Sequence, residues 1–298
     1  MARKSINMSE FLLELYSEEI PPNLQINARN ELKQKIKDSL VEENLKFNSI
    51  FAYSSPTRLI ILIKDFSNKI LIPSKEIRGP KVGVMDDIVN NFLKAHQSSR
   101  KDLMEKKTDK GNFYFIKTKS KEIFTEEVLK KIVVNSIASI KWKKSMRWAD
   151  TDLLWGRPLR SILAVYNNKV LTFSYGHLKS CEYTYIEKDL DTKSKKINNF
   201  KEYQKLLLNN NIIFNQEDRE RKITKKFEGI YKAKNFKNHY DTKLLNEVVN
   251  IVEDPHIIIN DFDKKYLELP KEIIISTLQN HQRYFPIFNN KDEITNFF

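Results

Sequence analysis

The sequence has 298 residues, of which 40% are hydrophobic, and its 52 Lys and Arg exceed its 39 Asp and Glu for a net charge of +13. A chain of this length exceeds one typical domain and can bury sizeable cores, which excludes long disordered stretches. No apolar run approaches the roughly 20 residues that span a bilayer, and no glycine cluster has the spacing of a phosphate-binding loop or a dinucleotide fingerprint.

The positive charge favours a polyanionic partner, because clustered Lys and Arg release counterions when they meet phosphates. The excess is mostly lysine, however, in a chain that is rich in Asn and Ile. A compositional bias that places lysines on a solvated surface explains the charge equally well. Composition alone therefore leaves nucleic-acid binding open.

The cysteine and histidine residues predict neither a disulfide nor a metal site. Cys181 is the only cysteine, which fits a reducing cytosol, so we expect a cytoplasmic protein. The lack of a long apolar run predicts no association with a membrane. The five histidines are scattered, and no His or Cys pair has the spacing of a zinc site. No catalytic residue is predicted.

The N-terminal pattern predicts strands around one long helix. Residues 10–16, 47–53 and 59–66 are typical of strands, either as buried apolar runs or by alternation. Pro21 and Pro22 begin a helix whose apolar residues recur every fourth position. The order strand–helix–strand–strand indicates a compact α+β unit with an antiparallel element.

The middle of the chain predicts a loop, two helices and further strands. Residues 75–83 predict a loop, followed by a short helix, and residues 113–117 predict a strand. Thr125 is expected to cap the second helix. A hairpin is predicted around Asn167-Asn168, with strands at 159–166 and 170–175.

From residue 199 onward the pattern is mainly helical. In the helix at 216–233 we expect Ile223, Phe227 and Ile230 inside, with the basic residues around them. Those basic residues are Arg219, Arg221, Lys222, Lys225 and Lys226. The other predicted elements are helices at 200–208, 244–249 and 271–280 and strands at 257–259 and 284–288.

These elements predict the fold class α+β. We expect an N-terminal α/β unit with a mixed or antiparallel sheet, followed by a mainly helical segment with short strands. The polar stretch 188–199 is the predicted linker between an α+β region at 1–187 and a helix-rich region at 200–298.

The clearest mixture of cations and aromatic residues is the stretch Lys141–Trp148. Tryptophan can stack on an unpaired base while Lys and Arg hold the backbone, which suits single-stranded RNA or the end of an RNA helix. The alternative is that Trp142 and Trp148 are partly buried anchors and the lysines a solvated helix end. The candidate RNA-binding residues here are Lys143, Lys144, Arg147, Trp148 and Arg157.

Arg58 is a further RNA-binding candidate, at the start of the strand that follows Pro56. It could contact a phosphate or a ribose. The alternative is a structural arginine that pairs with a carboxylate such as Glu18 or Glu19. The sequence leaves both interpretations open.

Three separated blocks, in the same order, carry a family resemblance. They are Phe11-Leu12-Leu13-Glu14-Leu15 with Glu18-Glu19-Ile20-Pro21-Pro22; Met146-Arg147-Trp148 with Arg157-Pro158; and Val252-Glu253-Asp254-Pro255, Phe262 and Leu267-Glu268-Leu269-Pro270-Lys271-Glu272 with His281-Gln282-Arg283-Tyr284-Phe285-Pro286. Together they resemble the β subunit of the bacterial-type, two-subunit glycyl-tRNA synthetase. That family also has a Pro-Arg-Arg-Leu-like signature, of which this chain keeps Pro56, Arg58 and Leu59, with Thr57 in place of one arginine.

The resemblance implies a role in an α2β2 enzyme. In that family the α subunit holds the class II catalytic core, which joins glycine to AMP and passes it to the tRNA 3′ end, and the β subunit supplies tRNA-binding and scaffolding domains. The resemblance therefore implies two partners, the α subunit and tRNA-Gly. It implies no cofactor on this chain, whereas the holoenzyme uses ATP and Mg²⁺.

The chain is expected to correspond to the N-terminal two-fifths of such a subunit, as a fragment or a split gene product. It departs from the family at Ile186-Glu187-Lys188-Asp189, where members carry a Gly-His-Arg-Phe-like tetrad. Losing the His-Arg pair removes a potential RNA or structural contact. The alternatives are a stand-alone basic RNA-binding protein and a non-functional remnant of the β subunit.

Overall fold

The computed structural model describes residues 9–72, 74–118, 120–148, 150–188 and 191–298. The chain divides into two compact units. Met1–Phe66 and Leu129–Phe298 form the main unit, and Ser67–Val128 form the inserted unit. Helices and antiparallel sheets are both present, which confirms the predicted α+β class. Among the described residues, no helix has the length and apolar character needed to cross a membrane.

The strands and helices are numbered in chain order. The strands are β1 Glu10–Ser17, β2 Ser49–Ser55, β3 Arg58–Lys64, β4 Lys69–Ile72, β5 Glu76–Lys81, β6 Leu103–Thr108, β7 Gly111–Lys117, β8 Lys121–Phe124, β9 Met146–Arg147, β10 Leu154–Trp155, β11 Leu159–Tyr166, β12 Lys169–Val170, β13 Ser174–Tyr175, β14 Leu178–Lys179, β15 Tyr183–Lys188, β16 Asp191–Lys196, β17 Asn260–Asp261, β18 Pro286–Phe288 and β19 Ile294–Phe297. The helices are α1 Pro22–Glu42, α2 Asp86–Ala95, α3 Thr125–Ala138, α4 Phe200–Asn209, α5 Gln216–Lys234, α6 Thr242–Val249 and α7 Lys271–Ser276.

The main unit is built on a five-stranded antiparallel sheet in the order β12-β11-β1-β3-β2. β1 lies at its centre and is buried from Phe11 to Ser17, as its apolar run predicts. On one sheet face Leu12 and Leu163 pack against Tyr203 and Leu207 of α4. The buried apolar residues of α1 recur every fourth position, which confirms the predicted helix; they are Leu24, Ala28, Leu32, Ile36 and Leu40.

The predicted hairpin at Asn167-Asn168 is confirmed, because β11 pairs with β12 and both asparagines have positive φ, 47° and 65°. A two-residue turn of this kind needs residues that tolerate the left-handed region, which asparagine does. The second strand is shorter than predicted. Residues Ser174–Tyr175 pair instead with Leu178–Lys179, across a turn in which Gly176 has a φ of 58°.

The C-terminal part of the main unit is helix-rich with short strands, as predicted. α5 and α6 bury Ile223, Phe227 and Leu245 together with Ile287 of β18, which belongs to the sheet β17-β19-β18. The predicted strand at 257–259 was wrong, since pairing begins only at Asn260–Asp261. The predicted helix at 271–280 is α-helical only to Ser276, and a π-helical segment, Thr277–Gln282, follows.

The predicted linker at 188–199 contains ordered structure. Tyr183–Lys188 and Asp191–Lys196 pair as an antiparallel hairpin. Residues 189 and 190 lie outside the described residues, and with them Asp189 of the departing tetrad. The division into domains at 188–199 stays a prediction.

The inserted unit contains a two-stranded ribbon, β4-β8, and a three-stranded sheet, β5-β7-β6. Val89 and Leu93 of α2 pack with Ile116 of β7 on one face of the three-stranded sheet. The predicted loop at 75–83 was wrong, because Glu76–Lys81 form an edge strand. Gly79 and Pro80 lie at its bulge, where the missing proline N–H breaks no ladder.

Candidate nucleic-acid interface

The structure places the predicted RNA-binding residues in two different parts of the main unit. One group lies in the segment after α3, which folds back on itself because β9 pairs with β10. We call this segment, residues 141–148 and 150–157, the tryptophan hairpin. It carries Lys143, Lys144, Arg147, Trp148 and Arg157. The remaining residue, Arg58, lies inside the five-stranded sheet.

Two tryptophans anchor the tryptophan hairpin. Trp155 is fully buried, and its ring meets the edge of Trp142 with the ring centroids 4.8 Å apart. Gly156 makes this approach possible, since a Cβ there would lie 2.4 Å from the Trp142 ring. Trp142 is thus a partly buried anchor, which agrees with the structural alternative for that residue. The packing of Trp142 against Trp155 holds the backbone of the tryptophan hairpin in place, and the remaining side chains of the hairpin extend from it.

The cations of the tryptophan hairpin are exposed. Lys143 and Lys144 lie in a bend before β9, and Arg157 follows β10. Arg147 is 67% exposed and pairs with Asp152 at 3.3 Å, but that carboxylate is itself 95% exposed. A pair this exposed contributes little to stability, so the guanidinium is available to another anion. Lys143, Lys144, Arg147 and Arg157 can therefore meet a phosphate backbone.

Trp148 is the aromatic candidate of this segment. It is half-buried and meets the His177 ring edge-on, with the ring centroids 6.2 Å apart. Part of its surface is thus occupied by protein and part faces solvent. Both stacking on a base and anchoring of the hairpin remain predictions for Trp148.

Arg58 is surrounded by protein. It is 2% exposed, and its Nη1 lies 3.0 Å from Glu253 Oε1. Its Nε lies 3.2 Å from Glu14 Oε2, and its Nη2 donates to the Tyr185 carbonyl at 2.5 Å. This geometry supports the structural alternative, with Glu14 and Glu253 as partners in place of the proposed Glu18 or Glu19.

Glu14 is the unexpected centre of this buried group. Thr184 Oγ1 donates to its carboxylate at 2.7 Å, and the Tyr203 hydroxyl donates to it as well. Burial raises the pKa of Glu14, and Arg58 and the two hydroxyls oppose that rise. Burial alone would lower the pKa of Arg58, but the charges of Glu14 and Glu253 outweigh it and raise that pKa.

The buried group brings together the first block, the last block and the Pro-Arg-Arg-Leu-like signature of the sequence. Glu14 comes from the first block, Arg58 from the Pro-Arg-Arg-Leu-like signature, and Glu253 from the last block. A carboxylate within an apolar strand could have signalled Glu14, since a buried charge needs a partner. Nothing in the local sequence identifies that partner.

Arg219 is a second buried cation, and its predicted place on the outside of α5 was wrong. Its side chain is 0% exposed, and its donors reach the carbonyls of Val249 at 2.7 Å, Ser54 at 2.8 Å and Ile213 at 2.5 Å. Burial lowers the pKa of Arg219 to about 10. Ile230, predicted to lie inside, is only partly buried, and Tyr231 takes that place.

Glu187 belongs to the tetrad at which the chain differs from the family pattern, and it has partners close to it in the structure. Its carboxylate accepts a bond from Arg160 Nη1 at 2.5 Å. The hydroxyl of Tyr16 and then Arg160 lower the pKa of Glu187.

Within the described residues no group of His, Cys, Asp and Glu has the arrangement of a metal site.

Comparison with known proteins gives consistent matches. A family model described as glycyl-tRNA synthetase beta subunit matches residues 11–298. Over 291 residues the chain is 35% identical to the glycine–tRNA ligase beta subunit of Rickettsia prowazekii (strain Madrid E) and 34% identical to that of Rickettsia peacockii (strain Rustic). Each alignment covers 98% of this chain and 44% of the relative. The chain therefore spans less than half the length of these relatives.

Proposed function

The chain belongs to the family of glycyl-tRNA synthetase beta subunits, and from this premise we propose that it is a non-catalytic, tRNA-binding and scaffolding part of a glycine–tRNA ligase. Its partners in this role are an α subunit, which carries out the attachment of glycine, and tRNA-Gly. The site of action is the cytoplasm.

The observation that carries the RNA-binding part is the tryptophan hairpin. Its exposed cations, among them Lys143, Lys144, Arg147 and Arg157, stand on a base fixed by Trp142 and Trp155. Phosphate contacts of this kind position an RNA without reading its sequence. We therefore propose that Lys143, Lys144, Arg147 and Arg157 contact the tRNA backbone. Arg58 acts instead from within the sheet, where it holds the strands together.

We propose that ATP and Mg²⁺ are bound by the α subunit. Activation of glycine needs groups that cradle phosphates and hold a divalent cation. The glycines of this chain lack the spacing of a phosphate loop, and the described residues offer no carboxylate cluster for a metal. In this proposal the chain aligns the tRNA while its partner performs the chemistry.

The test is reconstitution with the α subunit of the same organism. We expect the two chains to co-purify. The chain alone should give no glycine-dependent ATP–pyrophosphate exchange, and the α subunit should supply that exchange. Exchange by the chain alone would overturn the non-catalytic assignment. RNA binding without any association with the α subunit would favour the alternative, a stand-alone RNA-binding protein, which the net charge of +13 also accommodates.

A further inference from the structure

The three-stranded sheet of the inserted unit has a second face, opposite to α2. Ile116 and Tyr114 of β7 point to the α2 side, where they join the core around Val89. Neighbouring residues of a strand point to opposite faces, so Phe113 and Phe115 lie on the other side. We call this side the phenylalanine face.

The registers show which side chains share the phenylalanine face, because directly paired residues point the same way. On β6, Met104 pairs with Phe115 and Lys106 with Phe113. On β5, Arg78 pairs with Phe115 and, beyond the bulge, Lys81 with Phe113. Two aromatic rings on the central strand are thus bordered by cations from both neighbouring strands.

The contacts on this face are those of a stacking surface. The Arg78 guanidinium carbon lies 3.6 Å from the centroid of the Phe113 ring, so a planar cation covers that ring. Over Phe115, Lys106 Nζ lies 5.7 Å from the ring centroid and pairs with Glu76 at 2.7 Å. That pair is about 44% exposed on both sides, so a competing phosphate can open it at little cost.

The charge of the face selects the kind of partner. Among the described residues that the registers place on this face, the exposed cations are Arg78, Lys81, Lys106 and Lys117, and the one carboxylate is that of Glu76. Aromatic rings and guanidinium planes stack on unpaired bases, while cations beside them hold the backbone. Within a base-paired helix the base faces are hidden inside the stack, so the interior of such a helix offers nothing for these rings to stack on.

We propose that the phenylalanine face binds a stretch of unpaired RNA, with bases stacked on the Phe113–Arg78 pair and on Phe115. Lys81, Lys106 and Lys117 then contact the phosphates. This inference rests on the proposed role in tRNA binding and adds to it a site for unpaired nucleotides. It requires no contribution from the tryptophan hairpin.

The test uses the full chain and a fluorescein-labelled ten-nucleotide adenosine RNA, followed by fluorescence anisotropy. The decisive variant is Phe113→Leu with Phe115→Leu, which keeps an apolar side chain at each position and removes the rings. We expect affinity to fall by about fivefold or more per lost base stack. Phe124→Leu is the matched control, because Phe124 is 66% exposed in the same unit and also lies beside a lysine, Lys69. It should leave the affinity unchanged.

A second variant guards against misfolding. Arg78→Lys keeps the charge of an exposed side chain and removes its plane, so affinity should fall several-fold while the thermal unfolding temperature stays unchanged. All titrations are repeated with Lys143, Lys144 and Arg147 changed to Ala, so that binding at the tryptophan hairpin does not mask the effect. A ten-base-pair RNA duplex should show no difference between the wild type and the leucine variant.

Unchanged binding of the adenosine RNA by both Phe113→Leu/Phe115→Leu and Arg78→Lys would overturn the proposal and leave a protein partner to explain the face. Equal losses for single-stranded and duplex RNA would also overturn it. Failure of the chain to associate with an α subunit would overturn the proposed function alone, because the RNA titrations need no α subunit.

Discussion

The Arg58 guanidinium and the Glu14 carboxylate form a buried pair, with Nε and Oε2 3.2 Å apart and side chains that are 3% and 0% exposed. The pair joins the central strand β1 to β3. Because neither group has access to water, each is tolerated only through its partners. The pair therefore acts as a structural element of the sheet.

Replacing Arg58 with Met should destabilise the protein by about 3–5 kcal/mol, because it leaves the charge of Glu14 buried and unpaired. Urea unfolding followed by circular dichroism measures the change. Adding Glu14→Gln should recover part of the loss. The matched control is Arg160→Met, whose pair with Glu187 is about 40% exposed, and it should cost less than about 1 kcal/mol. Equal losses for the two single variants would contradict the buried-pair interpretation.

Two glycine-to-alanine substitutions should have opposite effects on the free energy of unfolding. Gly156→Ala puts a Cβ 2.4 Å from the Trp142 ring and should destabilise the protein by roughly 1–3 kcal/mol. Gly229→Ala lies within α5, and the new Cβ would meet no atom within 4 Å beyond the adjacent residues and the helix's own backbone, so it should stabilise by roughly 0.5–1 kcal/mol. The thermal unfolding temperatures of the two variants, compared with that of the wild type, test both signs. Trp142→Leu should partly relieve Gly156→Ala, and an unchanged loss would count against the predicted clash.

RNA binding by the tryptophan hairpin predicts a change in salt dependence. Changing Lys143, Lys144 and Arg147 to Ala should weaken tRNA binding and reduce the slope of log affinity against log salt by roughly one unit per lost phosphate contact. Filter binding at several salt concentrations, with tRNA-Gly and an unrelated tRNA, gives both quantities. The weakening should be similar for the two RNAs.

The matched control for that prediction removes three exposed lysines of α5, Lys225, Lys226 and Lys232. It lowers the net charge by the same amount but leaves the tryptophan hairpin intact. If both triple variants change the slope equally, the binding reflects overall charge and the hairpin has no special role.

Glu187 should make stability depend on pH. Its pKa is lowered below the ordinary 4.5 by Tyr16 and Arg160, so the folded state favours the charged carboxylate. The resulting stabilisation is fully present above pH 4.5 and is lost as the pH falls through the folded pKa. Glu187→Gln should therefore lower the unfolding temperature at pH 7 and have little effect well below pH 4.5.

The control for Glu187 is Glu228→Gln on α5, an exposed carboxylate that reports the general cost of losing a negative charge from a basic protein. Its effect should be smaller than that of Glu187→Gln at pH 7. A difference between wild type and Glu187→Gln that stays constant from pH 7 to below pH 4.5 would show that the charge of the Glu187 carboxylate is not responsible.

Local pattern predicted the elements whose burial is periodic. The apolar run of β1 and the four-residue repeat of α1 predicted both elements correctly. Arg219 lies four residues before Ile223 and thus on the same helix face, but its charge favoured an outside position. Its acceptors include carbonyls of Ser54 and Val249, which are 165 and 30 residues away in the sequence. No local pattern predicts contacts of that kind.

The candidate interface was likewise predictable only where the properties of single residues determine exposure. Exposure of Lys143 and Lys144 follows from their polarity, and partial burial of Trp142 follows from its size. Whether Arg58 is a buried structural residue or an RNA contact could not be predicted locally, because its partner Glu253 lies 195 residues further along the chain. The phenylalanine face could not be predicted, because it requires the strand β5. Gly79 and Pro80 within that strand led to the prediction of a loop.

The span between Arg58 and Glu253 also sets an order of events on the ribosome. All residues of the inserted unit are contiguous, Ser67–Val128, so its internal contacts can form early in synthesis. The main unit is different, because Glu14 and Arg58 emerge long before Glu253 does. Until then the N-terminal strands hold an incomplete set of charges, and contacts of such long range are slow to form. The contacts within the smaller unit can therefore form first, whereas the buried charges of the central sheet are complete only once Glu253 has been synthesised.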